Sequence, residues 1–150
     1  ALAVLVSGVQ FQRPVQSTVA SRLIGTWQLL SIETNGKPWP NHQAHSKGLI
    51  YYDVTGHMAA QIALDRPRQS WPQNQEPTPE QAREAIMGYI AYFGTYTIDE
   101  RAQIIIHHRE GAINLDTIDL IRKYEFTADG RLILTPVETP TTRLVWKRIK

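Results

Sequence analysis

Gly25-Thr26-Trp27 near the start of the chain and Leu144-Val145-Trp146-Lys147-Arg148 at its end decide the fold. A glycine-X-tryptophan on the first strand and a tryptophan-arginine on the last are the pattern that seals one end of a small up-and-down β-barrel. A sheet closed on itself hides its strand edges and leaves a lumen. Side chains alternate along a strand, so Leu144, Trp146 and Arg148 share one face. Arg148 is thereby placed to stack on the Trp27 indole. Gly25, Trp27, Trp146 and Arg148 are read as structural closure, and Arg143 and Lys147, on the other face, as solvated.

Between these ends the chain carries regular strand and turn signals. Leu23 to Thr34 reads as the first strand, stopped by Asn35-Gly36 and the prolines at 38 and 40. Lys47 to Asp53 and His57 to Leu64 form a pair joined by Val54-Thr55-Gly56. Asp65 to Thr78 holds three prolines and little apolar content, so it is a long loop. Thr78-Pro79-Glu80-Gln81 starts a helix, with Thr as N-cap and Pro in the first turn. Spacing of Ala82, Ile86, Tyr89 and Ile90 predicts that it runs to about Tyr92 and packs one face on the barrel. Five further strands follow: Phe93 to Asp99, Gln103 to Glu110, Ile118 to Thr127, Arg131 to Pro136, and Thr141 to Ile149. The prediction is a mainly β, eight-stranded antiparallel up-and-down barrel with one helix inserted after the third strand. Eight strands leave room for packed side chains or one small ligand.

The 150 residues suit one domain, and the formal net charge is only +2. No run of clustered Lys and Arg with interleaved aromatics is present, which argues against nucleic acid as a partner. There is no cysteine, which excludes disulfides, thiolate metal sites and a cysteine nucleophile. No serine lies in a Gly-X-Ser-X-Gly elbow, and neither a phosphate loop nor a dinucleotide fingerprint occurs. No cofactor is expected. Ala1 to Val9 is an apolar run too short to span a membrane. It reads either as the remnant of a signal segment, with Thr18-Val19-Ala20 as a weak cleavage site, or as an N-terminal extension. The first reading makes the protein secreted or periplasmic. The second makes it cytoplasmic, with the extension packing on the barrel or mediating a dimer. Gln10 to Ser17 reads as a linker, so residues 1–22 are set apart from a barrel domain of residues 23–150.

Several segments, in this order, resemble the lipocalin-like domain family of bacteria and fungi, within the calycin group of barrels. They are Leu23 to Ser31, Gly48 to Tyr52, Gly56 to Gln61, Gly88 to Tyr96, His107-His108, Arg122 to Phe126 and Leu144 to Arg148. The resemblance implies a lipocalin-like barrel that takes small hydrophobic molecules. Some related barrels are cofactor-free cyclases or isomerases, so the resemblance leaves an enzyme open. The chain departs from the family pattern in its N-terminal extension. It also carries Asn114-Leu115-Asp116 where a longer, Trp-bearing loop is expected, which bears on the shape of one barrel mouth.

Candidate chemistry concentrates on few residues. His107 and His108 are adjacent on a strand, so they point to opposite faces and cannot bind one metal together. His57 is the only other strand histidine, His42 and His45 being in a loop, so no metal is expected. Whichever of His107 and His108 points inward either hydrogen-bonds in the interior or serves as an acid/base, with Tyr96 as a further candidate. Ile118, Leu120, Arg122, Tyr124 and Phe126 share a face, while Asp119, Lys123 and Glu125 occupy the other. Arg122 therefore sits amid an inward apolar face, where a guanidinium must be paired. Its partner is either a ligand carboxylate or carbonyl, or an internal group such as Glu110 or Asp53. Tyr124, Tyr96, Tyr51, Met58, Gln61 and Phe93 complete the expected ligand-binding set, with Tyr52, Met87, Tyr89 and Tyr92 among the other candidate lining residues. Ala59, Ala60, Gly94 and Thr95 are small residues on central strands that leave volume. Two readings follow: binding of a small, mostly hydrophobic molecule in the lumen, or cofactor-free isomerisation or cyclisation of such a molecule there. A barrel filled by its own side chains is the third. The working mouth is expected beside the Asp65 to Thr78 loop and the inserted helix.

Overall fold

The computed structural model describes residues 18–38 and 45–150. The apolar run Ala1 to Val9, the linker reading of Gln10 to Ser17, and His42 lie outside the described residues. Thr18–Leu23 forms a short helix, α1, which takes up the Thr18-Val19-Ala20 segment.

The strands follow as β1 (Gly25–Thr34), β2 (Lys37–Pro38), β3 (Lys47–Tyr52), β4 (His57–Ala63), β5 (Tyr89–Asp99), β6 (Ile104–Ala112), β7 (Leu120–Phe126), β8 (Leu132–Pro136) and β9 (Thr142–Arg148), with α2 (Pro79–Met87) between β4 and β5. Eight of them form a closed antiparallel barrel. Each pairs with the next, and β1 also pairs with β9, where Trp27 faces Arg148 and Leu29 faces Trp146 in register. The ninth, β2, is a two-residue addition. Asn35 and Gly36 both take positive φ, so the chain turns back at once and pairs Lys37 with Thr34.

The helix begins as expected and ends early. Thr78 accepts from the Gln81 backbone N–H, and the Gln81 side chain accepts from Thr78, a complete capping box. The chain leaves the helix at Gly88, whose N–H still reaches Glu84. Tyr89 and Ile90 belong to β5, paired with Ala63 and Ile62 of β4. The expected helix to Tyr92 is thus corrected: four ladder positions on β4, Ala60 to Ala63, claim Tyr89 to Tyr92 as strand. No residue of α2 is buried, so the helix covers a barrel mouth rather than the core.

The core runs through the lumen from Leu23 and Trp27 at one end to Ile62 and Trp146. At the α1 end, Trp27 Nε1 donates to Leu23 O at 2.8 Å. The Arg148 guanidinium lies 4.4 Å from the centre of the Trp27 ring and donates to the carbonyls of Ile24 and Arg22. Gly25 stands under this cap at φ +133, and a Cβ there would come within 2.5 Å of Arg148 Nη1. Gly25→Ala should therefore cost about 2 kcal/mol, from backbone strain and displacement of Arg148 together. Urea unfolding measures it, and an unchanged midpoint would show that the cap does not depend on this close approach.

Candidate binding site

At the end away from Trp27 the barrel is hollow. A cavity of about 320 Å³ lies between the strands and α2. Its walls are largely apolar, with Ile50, Ala60, Ile62 and Leu134 deep and Ile86 and Met87 of α2 at the rim. The Asp65 to Thr78 loop supports this rim without lining it. Arg66 donates to Met87 O at 3.1 Å, and Glu84 accepts from the Gln69 N–H.

The alternation on β6 settles the histidine pair. His107 points inward and is 1% exposed. His108 points outward, with Nδ1 2.8 Å from Asp119 Oδ2 and Nε2 3.0 Å from Thr97 Oγ1. Inside, His107 Nε2 meets Tyr52 Oη at 2.8 Å and Nδ1 meets Tyr92 Oη at 3.0 Å. Burial, with smaller contributions from Arg122 and His108, pushes the His107 pKa down to about 3, so the ring is neutral near neutral pH. Burial pushes the Tyr92 hydroxyl up to about 12, although Arg122 and Arg109 pull the other way. The Tyr52 hydroxyl is also raised by burial, then by Tyr92.

Two arginines reach the cavity wall. Arg122 Nη1 lies 2.8 Å from Glu138 Oε1, in the loop after β8, and also donates to Ile121 O. The partner is internal, as one reading of Arg122 held, but it is Glu138 rather than Glu110 or Asp53. Burial raises the Glu138 carboxyl, but its own backbone N–H and Arg122 outweigh that and leave it below the usual range. Arg109, two residues along β6 from His107, is also mostly buried. Its Nη2 lies 3.0 Å from Asp116 Oδ2, and its Nε donates to Ile118 O at 2.7 Å. The Asp116 carboxyl is held low by the Ile118 N–H and then by Arg109. The short Asn114-Leu115-Asp116 turn thus anchors an arginine at the mouth.

The other expected lining residues divide. Met87, Tyr89 and Tyr92 border the cavity, and Tyr52 stands behind His107. Tyr51, Gln61 and Phe93 do not: they face outward, Tyr51 being 46% and Phe93 57% exposed. Register sets this, since Tyr51 pairs with Ala59, and Ala59 with Phe93, on the outer face. Met58 is packed in the core, and Tyr96 Oη donates to Asp53 O at 2.7 Å, away from the cavity. Tyr124 packs against Phe126 on the closed-end side. Of the small residues Ala60 makes room in the lumen. Gly94 instead lies opposite a bulge in β6, where a Cβ would strike His108 O. Trp146, expected only as closure, forms part of the cavity wall. Arg109 and Glu138 were not singled out by sequence reasoning. Once His107 is known to point inward, alternation alone brings in Arg109; Glu138, in a loop, carries no periodic signal.

A family model for the lipocalin-like domain matches residues 24–149. The chain belongs to the lipocalin-like domain family. No curated protein matches it. Among solved structures, a mutant of the fluorescent protein UnaG is similar, with 11% sequence identity over 85% of this chain and 96% of that one, at a TM-score of 0.39. For this lipocalin-like barrel, no three side chains of metal-binding type come together among the described residues. No described helix is long and apolar enough to cross a membrane.

Proposed function

We propose that this lipocalin-like protein binds one small, mostly hydrophobic molecule inside the barrel, its polar group directed to Tyr92, beside the Arg122–Glu138 pair. The observation that carries the reading is the apolar cavity of about 320 Å³ with a few convergent polar groups in its wall. That volume is at the lower end of the roughly 300–1,000 Å³ of small-molecule sites. A cofactor-free isomerase or cyclase in the same lumen would need an acid or base there. The enclosed histidine is His107, a weak base with a pKa of about 3. The histidine with a carboxylate within hydrogen-bond reach is His108, on the outer face. Both points favour binding over turnover.

Native mass spectrometry of purified protein should reveal a co-purified small molecule, and the neutral fluorophore N-phenylnaphthylamine should brighten on binding. A bare mass in repeated preparations together with no fluorescence gain would overturn the reading. Ala60→Leu extends a side chain into the cavity from a position that is 2% exposed. It should weaken fluorophore binding roughly tenfold or more while the folded far-ultraviolet spectrum is kept.

A further inference from the structure

The hydrogen positions around His107 are determined by what surrounds them. Tyr52 is fully buried, and among the described residues its hydroxyl has a single hydrogen-bond partner, His107 Nε2. If Nε2 carried the ring proton, the Tyr52 hydrogen would be buried with no acceptor, a cost of about 1–3 kcal/mol. Tyr52 therefore donates to Nε2. The imidazole is neutral, so its one hydrogen is on Nδ1 and is donated to Tyr92 Oη. Among the described residues the Tyr92 hydrogen then has no acceptor, and it is left for the cavity that Tyr92 lines. The cavity thus offers a surplus donor.

Charge narrows the choice of acceptor. The two arginines at the wall are each already matched, Arg109 by Asp116 and Arg122 by Glu138. An incoming anion would meet no uncompensated cation and would compete with Glu138. An uncharged oxygen acceptor would satisfy the Tyr92 hydrogen without disturbing either pair.

We propose that the ligand is an uncharged carbonyl compound, such as a ketone or aldehyde, whose oxygen accepts from Tyr92 Oη at the end of a one-way Tyr52–His107–Tyr92 hydrogen-bond chain. This rests on the binding reading above. Tyr92 is then the residue that sets specificity for an acceptor, and Tyr52 and His107 are positioning residues that fix the direction of its hydrogen.

Two measurements test this on the whole chain. Nitrogen-15 chemical shifts of His107 in the unmodified protein report the tautomer, with Nδ1 expected to be protonated. An Nε2-protonated ring would overturn the proposal. Displacement of bound N-phenylnaphthylamine by octane, an octanone and octanoate near neutral pH reads the acceptor. The octanone is expected to bind roughly tenfold more tightly than octanoate. In Tyr92→Phe its affinity should fall roughly tenfold while that of octane is unchanged. Tighter binding of octanoate, or equal octanone affinity in the variant, would overturn the carbonyl assignment and leave the binding reading intact. Failure of the fluorophore and all three probes to bind the unmodified protein would overturn both.

Discussion

Trp27→Ala should lower the stability of the barrel by about 3–5 kcal/mol, the largest loss expected for a single truncation in this chain. The indole is 1% exposed and fills the closed end against Phe126, with ring centres 6.2 Å apart. Its removal leaves a void that the surrounding strands cannot close, because β1 is held on both sides by β3 and β9. It also strips Leu23 O of its hydrogen bond and Arg148 of its stacking face. The Arg148 guanidinium keeps its two carbonyl acceptors, so it stays half-buried at the end of the barrel beside a cavity. Trp27→Phe separates these contributions. It retains an aromatic face for Arg148 and loses the Nε1–H and part of the volume, so it should cost about 1–2 kcal/mol. Urea unfolding of the two variants measures both. A loss below about 1 kcal/mol for Trp27→Ala would mean that the closed end is not a cooperative part of the fold. Fluorophore binding should survive in Trp27→Phe, since the cavity opens at the other end.

Much of the fold is legible because its signals are local. Asn35-Gly36, Val54-Thr55-Gly56 and Ala128-Asp129-Gly130 each mark a strand reversal by backbone preference alone, and Gly36, Gly56 and Gly130 all take positive φ. The end of α2 is less so. Tyr89 and Ile90 continue the helical spacing of Ala82 and Ile86, and nothing local to that stretch reveals that β4 will pair with them. Tertiary pairing overrides the periodicity from Gly88 onward. The site shows the same division. Arg122 is found because β7 alternates charged and apolar residues, so its phase can be read directly. On β6, Ile104, Ile105 and Ile106 are apolar on both faces, so the phase of His107, His108 and Arg109 is fixed only by pairing across the barrel. Tyr51 and Tyr52 pose the same ambiguity on β3. An aromatic ring suits either the lumen or a partly exposed outer face, and only register sends Tyr52 to His107 and Tyr51 to solvent. The internal pairing of Arg122 was harder still, because Glu138 comes from an aperiodic loop.

Acid should destabilise this protein through His107. The folded pKa is about 3 against an ordinary value of 6.5, so the folded state refuses a proton that the unfolded chain accepts. The sign follows from linkage: the unfolded state binds more protons across the window between the two values, so stability falls as pH falls from about 6.5 toward about 3. At about 1.4 kcal/mol per pH step, moving from about pH 7 to about pH 4.5 should remove about 3 kcal/mol. The carboxyls of Asp53, Asp116, Asp129 and Glu138 are all held below their ordinary values. Their depressed values withdraw stability mainly at still lower pH, as acid protonates them. His107→Gln provides the control. Its side-chain oxygen can accept from Tyr52 and its amide can donate to Tyr92, while neither group titrates. The variant should be less stable than the parent near neutral pH, because the ring volume is lost from a packed position. Its stability should nevertheless fall by about 2–3 kcal/mol less than the parent's between about pH 7 and about pH 4.5. Parallel pH profiles for the two proteins would show that the ring is not kept neutral in the folded state. The direction of hydrogen bonding from Tyr52 through His107 to Tyr92 would then lose its basis as well, because a doubly protonated ring has no nitrogen left to accept from Tyr52.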